Sequence, residues 1–318
     1  MKLIKNSVKR LYQNPGIDGM YEMIRDCAAV CYQTDTEKMK LSPRDFVFDV
    51  LLKNGHTRPL EFGTVYLKLP ANYKDMFFGN DFSENFRKYS KFHYYFDYEN
   101  IENNCYYVTT NFRCIIQGDY NDDAYAHADE YKYGNYLNIM EKFWCEPTIH
   151  HPSRTCYDII ASRGVTDDLR THIALSSVCE SSRFCNYSNN KFGGEITFIQ
   201  PYWITDEVVE QYLNGNLSDC VDKVVLDGMQ QCEDIYMRLA NIATHENLIK
   251  KLQPQQLKRV FALGIKAELV LCGFRDAWDN FFWRRSDDHA DPEAKIISDM
   301  IKADMGIEDK IKSEMIKK

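Results

Sequence analysis

The sequence predicts an α+β protein, a mixed sheet with long helices in a single domain over residues 1–318. Helical periodicity and strand alternation both occur along the chain. They lack the regular strand-helix-strand rhythm of a doubly wound sheet. An apolar content of 44% over 318 residues suits one large core without internal repeats or low-complexity tracts.

Each element has its own signal. Residues 20–33 (MYEMIRDCAAVCYQ) predict a helix burying Met20, Met23, Ile24, Cys27 and Cys31. Residues 44–53 predict a short second helix, ended by Asn54-Gly55 as a C-cap. TVYLKLP (64–70) and CYYVTTNFRCII (105–116) alternate as strands do. Two tyrosine-rich, acidic segments, at about 78–104 and 119–137, read as insertions or oligomer contacts. Residues 220–243 carry Val221, Val224, Val225, Met229, Cys232, Ile235, Tyr236, Leu239 and Ile242 at helical spacing, a long core helix. Pro254 opens a helix, KAELVLCGF (266–274) reads as a strand and RDAWDNFFWRR follows. A last helix starts after Pro292 and stops at Gly306.

A net charge of −8 argues against a nucleic-acid polymer as partner, because counterion release needs a broad basic surface. A small phosphorylated ligand needs only a local arginine cluster. No apolar run approaches the roughly 20 residues that span a bilayer, and Met1 to Lys5 leads into polar sequence. A cytoplasmic protein with no membrane partner is the expectation. Eleven scattered cysteines predict reduced thiols. Neither CxxC nor HExxH occurs, so no metal site is expected, and His150-His151 reads as loop surface. With 21 Tyr and 18 Phe, most rings serve cores and interfaces, and some are available to stack on a flat ligand.

Neither GxGxxG after a strand nor GxxxxGK[ST] occurs, so a bound nucleotide's phosphate would be held by arginine and hydroxyl donors. Four polar clusters offer them. They are GHTRPLEF (His56, Thr57, Arg58, Glu61), YYVTTNFR (Thr109, Thr110, Asn111, Arg113), the stretch from RGVTDDLRTHIALSSVCESSRF into CNYS, and WDNFFWRRSDDHADPE (Asn280, Arg284, Arg285, His289).

In order, these segments resemble the flavin-dependent thymidylate synthases, with GHxxPLExGTV, YYVTTNxR, RGV followed by ESxRFCNYS and KFGxEITFIxP, then ELVxxGF and HAxPE, over roughly residues 20–305. The resemblance implies the fold of thymidylate synthase complementing proteins. It also implies a homotetramer whose active sites are shared between subunits, with FAD as cofactor and NADPH and methylenetetrahydrofolate as co-substrates. A one-carbon unit would pass to a pyrimidine deoxynucleotide, dUMP to dTMP or a related modified nucleotide.

Matched residue by residue, Ser181 and Arg183 take the family's second serine and final arginine, at the nucleotide phosphate and sugar. Arg285 takes the arginine at the uracil ring, and Ser181 and Arg285 are the catalytic candidates. Glu180 and Lys258 complete the substrate side. His56, Arg58, Glu61, His172, Ser176, Asn280 and His289 form the flavin side. The family's defining RHR triplet reads Thr171-His172-Ile173 here, and its acidic nucleotide-loop residue falls at Cys179, beside Glu180. Arg170, Arg154 and Arg163 are the nearby arginines that would compensate. Two alternatives stand beside this reading: a non-catalytic nucleotide-binding paralogue that keeps fold and oligomer without flavin, and a cysteine mechanism through Cys179, set against an inert buried thiol.

Overall fold

The computed structural model describes residues 1–73, 89–117, 134–189, 192–242 and 252–307. Within them helices and strands mix as an α+β fold requires, and nine strands form three sheets. β1 (Lys2–Ile4) pairs in parallel with β8 (Thr197–Ile199). The central sheet is antiparallel in the order β2 (Ser7–Leu11), β6 (Arg154–Ser162), β9 (Lys266–Phe274), β7 (Ser176–Cys179). The third has β5 (Cys105–Asn111) between β3 (Thr64–Pro70) and β4 (Lys91–Tyr95).

β6 and β9 pair from Arg154↔Phe274 to Ser162↔Lys266, and both faces of this pair are covered. On one face Tyr157, Ile159, Leu269 and Leu271 meet Trp278, Phe281 and Phe282 of helix Arg275–Arg285 and Ile297 and Ile301 of helix Pro292–Asp304. On the other, Cys156, Val178, Val270 and Cys272 meet Met23 and Cys27 of helix Gly16–Val30. Met20, Tyr21, Ile24 and Ala28 of that helix pack instead on the β3–β5 sheet. One helix therefore joins two sheets, and each large side chain it buries contributes about 1.5–3 kcal/mol. The joint is tight at Gly63, where a Cβ would sit 2.6 Å from Ile24 Cδ1 and 2.8 Å from Met20 Cγ.

Several expectations need correction. The strand read over 105–116 stops at Asn111, whose Oδ1 accepts the Cys114 N–H at 3.1 Å and starts helix Phe112–Gln117. Arg113 is therefore helical. The short helix near 44–53 begins with Ser42 accepting the Asp45 N–H and widens to π-helical pitch over Phe46–Leu52. Helix Val221–Asn241 buries Leu226, Met229, Cys232 and Tyr236, whereas Val221, Val224, Ile235 and Ile242 are exposed. His151 is buried, not loop surface: its Nδ1 accepts the Thr148 N–H at 3.1 Å, which leaves Nε2 to donate to Leu67 O at 3.3 Å. Within the first tyrosine-rich segment, β4 pairs with β5 from Lys91↔Thr109 to Tyr95↔Cys105. Most of the second segment lies outside the described residues. All eleven cysteines are unpaired thiols in the structure, and among the described residues no helix is long and apolar enough to cross a membrane.

Candidate functional site

β7 is an edge strand, and an edge leaves a row of backbone groups to be satisfied. Side chains do it here. Arg58 Nε donates to Ser177 O and Nη2 to Ser177 Oγ, both at 3.0 Å. Past the strand, the Ser181 N–H donates to Cys31 O at 3.0 Å. The end of helix Gly16–Val30 thus lies where a further strand would pair. The helix stops there by an unusual device. Thr34 N–H returns to Ala29 O and Gln33 N–H to Val30 O, with Gln33 at φ +52° in the left-handed position usually taken by glycine. Its side chain donates to Val30 O at 3.2 Å and to Glu268 Oε2 at 2.7 Å.

Beside this edge opens a cleft of about 830 Å³, lined by the helix end, residues 54–59, Arg163, residues 177–184 and Lys258. That volume lies in the range of small-molecule sites, about 300–1,000 Å³. Arg58, Arg163, Arg170, Arg183 and Lys258 line it, against the outward carboxylate of Asp167. Glu180 also borders the cleft, but its carboxylate is turned inward. It takes Lys266 Nζ at 2.7 Å and the Tyr187 hydroxyl at 2.6 Å, and the residue is 2% exposed. In a chain of net charge −8, this is a concentrated cationic pocket. Tyr32 and Phe184 add a flat wall, stacked with centroids 4.8 Å apart. The Arg183 guanidinium lies over the Phe184 ring at 5.1 Å and makes no hydrogen bond among the described residues. Ser181 Oγ accepts the Arg183 N–H at 3.3 Å, which folds the loop back on itself.

The cleft brings together His56, Arg58, Glu180, Ser181, Arg183 and Lys258 of the predicted set, with Arg163 and Arg170. The remaining predicted residues do not line it. Glu61 is buried in an ion pair with Arg113. Ser176 Oγ accepts from Arg154 Nη2 at 3.1 Å. Asn280 and His289 are exposed. His172 and Arg285 meet each other at the end of helix Arg163–Leu169, where Arg285 Nη2 also donates to Asp168 O at 2.8 Å and Thr171 Oγ1 at 3.2 Å. Burial, with Arg285 and Arg284 nearby, lowers the His172 pKa to about 4, so its ring is neutral and Nε2 free to accept. Thr171, standing where the family motif has an arginine, is a seat for Arg285. Ile173 is 79% exposed.

Cys179 Sγ lies 3.1 Å from Arg163 Nη1, whose Nη2 donates to Glu180 O at 2.9 Å. Burial nonetheless raises the thiol pKa, with Arg163 and Arg170 pulling against it. Sequence reasoning had not placed Cys31, Tyr32 or Thr34 in the site. None carries a motif, and each enters through the tertiary approach of one helix end to one strand edge.

The cleft combines cationic donors with an aromatic wall on a mixed α+β scaffold. The family follows from the sequence match: residues 103–305 fit the thymidylate synthase complementing proteins, and the chain belongs to that family. No curated protein matches it. Among solved structures it is similar to thymidylate synthase X from Helicobacter pylori with FAD and dUMP, at 16% identity over 47% of this chain and 66% of that one, TM-score 0.34. It is also similar to a UMP/dUMP methylase from Streptomyces cacaoi bound with 5-Br dUMP, at 12% identity over 48% and 65%, TM-score 0.36. The chain thus spans just under two thirds of the length of these chains.

Proposed function

We propose that the protein carries out FAD-dependent transfer of a one-carbon unit from methylenetetrahydrofolate to a pyrimidine deoxynucleotide, dUMP or a modified relative, with NADPH as reductant. It would act in the cytoplasm as a homotetramer with shared sites, formed by a single domain over residues 1–318. The observation that carries this is the clustering of Arg58, Arg163, Arg170, Arg183 and Lys258 around Ser181 and the Tyr32–Phe184 wall. That donor set fits a phosphate on a planar ligand, since guanidinium forks bind phosphate bidentately.

In this reading Arg183 leaves the Phe184 ring to grip the nucleotide phosphate, with Ser181, Arg170 and Lys258 as neighbours. His56 and Arg58, which also line the cleft, would hold the flavin's phosphates. Bound FAD supplies the hydride. Arg285 would stabilise charge developing on the pyrimidine. His172, Ser176, Glu61, Asn280 and His289 would complete the flavin side from a neighbouring subunit.

A second reading, nucleotide binding without flavin chemistry, is favoured by one observation. Arg285's donors are engaged by Asp168, Thr171 and His172 of its own chain. Calorimetry with dUMP, with and without FAD, and the colour of the purified protein decide between the two. A yellow protein that binds dUMP supports the enzyme, and a colourless one that binds dUMP alone supports the second reading. No binding of either ligand defeats both.

A further inference from the structure

We propose that the cleft, free of FAD, is a nucleoside triphosphate site, and that a nucleoside triphosphate and FAD exclude one another there. Charge sets the ligand class. Of the carboxylates that border the cleft, Glu180 is neutralised from behind by Lys266 at 2.7 Å. Asp167, paired with Arg170 at 3.1 Å, is left against five lining cations, Arg58, Arg163, Arg170, Arg183 and Lys258. Five less one is a surplus of four positive charges. Those four have no carboxylate of their own. Arg58 donates to Ser177 O and Oγ, and Arg163 to Cys179 Sγ and Glu180 O. Each thus keeps three of its five N–H donors unused among the described residues. Neither the Arg183 guanidinium nor Lys258 Nζ makes a hydrogen bond or ion pair among the described residues. The cations also form a row. Ser177 and Cys179 are alternate residues of β7, about 7 Å apart, so the half-buried Arg58 and Arg163 are anchored in succession along the strand edge. Arg183, past the end of that strand, and Lys258 are exposed.

A phosphomonoester brings about −1.5 to −2 at neutral pH, and each further phosphoryl group about one negative charge more. A nucleoside monophosphate alone therefore meets about half of the surplus. A triphosphate meets nearly all of it, in one flexible chain that can follow the row while guanidinium forks take its oxygens in pairs. The base has a place on the Tyr32–Phe184 wall, since an aromatic face stacks on any flat ring. FAD's two phosphates and one nucleoside monophosphate add up to about the charge of a single triphosphate. The two loads thus draw on the same four cations, and occupancy by one leaves too little for the other.

The exclusion half rests on the proposed FAD reading, and the triphosphate half on nucleotide binding alone. The test titrates dUMP and dUTP into the full, flavin-free chain by calorimetry in buffer without divalent cations, then dUTP into protein incubated with saturating FAD. dUTP should bind about tenfold or more tighter than dUMP, the scale of one added charge-assisted contact. That margin should narrow as salt is raised. Lys258→Gln, at an exposed position, should weaken dUTP about tenfold with the circular dichroism unchanged. FAD should abolish dUTP binding. Equal affinities for the two nucleotides overturn the triphosphate preference and leave the nucleotide reading standing. A tighter dUTP that Lys258→Gln does not weaken is bound elsewhere, which overturns the site. dUTP binding that FAD leaves unchanged, whether FAD binds beside it or does not bind, overturns the exclusion. If neither nucleotide binds, the nucleotide reading fails and this inference fails with it.

Discussion

Arg285 donates its Nε–H to Nε2 of His172 across 2.9 Å, which requires the imidazole to be neutral. Protonation would set two cations against each other in a buried corner. The His172 pKa of about 4, below the ordinary 6.5, means that the unfolded chain takes up a proton that the fold refuses. Stability from this group is therefore full above about 6.5 and is lost as pH falls toward 4. Urea unfolding across this range should show an acid limb that His172→Asn flattens.

Asp158 acts in the opposite sense. Burial, then Glu268, raises its pKa from 3.8 to about 6, and its Oδ1 is buried without a hydrogen-bond partner among the described residues. Here the fold keeps a proton that the unfolded chain releases, so stability falls as pH rises through 3.8 to 6. Asp158→Asn should raise stability at pH 7 by about 1–2 kcal/mol and bring no gain at pH 4.

Arg183 should dominate nucleotide binding, because Thr171 and Ile173 bring no guanidinium. Arg183→Ala should weaken dUMP about a hundredfold with the fold intact, measured by calorimetry and circular dichroism. Arg170, paired with Asp167 at 3.1 Å on the cleft wall, tests compensation. A large loss in Arg170→Ala means it has taken over the missing arginine's work. An unchanged affinity means it has not.

Gln33 gives an ordering of two substitutions. Its left-handed backbone costs about 1–2 kcal/mol, offset by its hydrogen bonds to Val30 O and Glu268. Gln33→Gly loses those bonds but relieves the backbone, and should cost about 1 kcal/mol. Gln33→Ala loses the bonds and keeps the strain, and should cost about 2 kcal/mol or more. Equal costs in thermal or urea unfolding would contradict this account.

Gly63→Ala should destabilise by about 1–3 kcal/mol through overpacking against Ile24 and Met20. Adding Ile24→Val, which deletes the Cδ1 atom 2.6 Å from the added carbon, should restore part of the loss. An additive double variant would show that the contact is not the cause.

The sequence made some of this legible and hid the rest for physical reasons. TVYLKLP and KAELVLCGF carried alternation or an apolar run strong enough to name β3 and β9. β6, RTCYDIIAS, escaped because both its faces are buried, which leaves it no clean apolar–polar alternation. The break at Asn111 was readable in principle, as an asparagine N-cap before an apolar run. In the site, Ser181, Arg183, His56, Arg58 and Lys258 came from the ordered motifs and converge on the cleft. Cys31 and Tyr32 could not be read as cleft residues, since their positions depend on where a helix ends against a strand from elsewhere in the chain.

Closing β7 with Arg58 and Cys31 in place of a tenth strand has a consequence for how copies of the chain meet. A bare strand edge is a template on which another extended segment can add and begin a fibril. Here the same guanidinium that faces the cleft also blocks that template, so Arg58→Ala would expose an adhesive edge as well as weaken a ligand site. Selection on ligand affinity and selection against self-association act on one side chain, and neither can relax without the other.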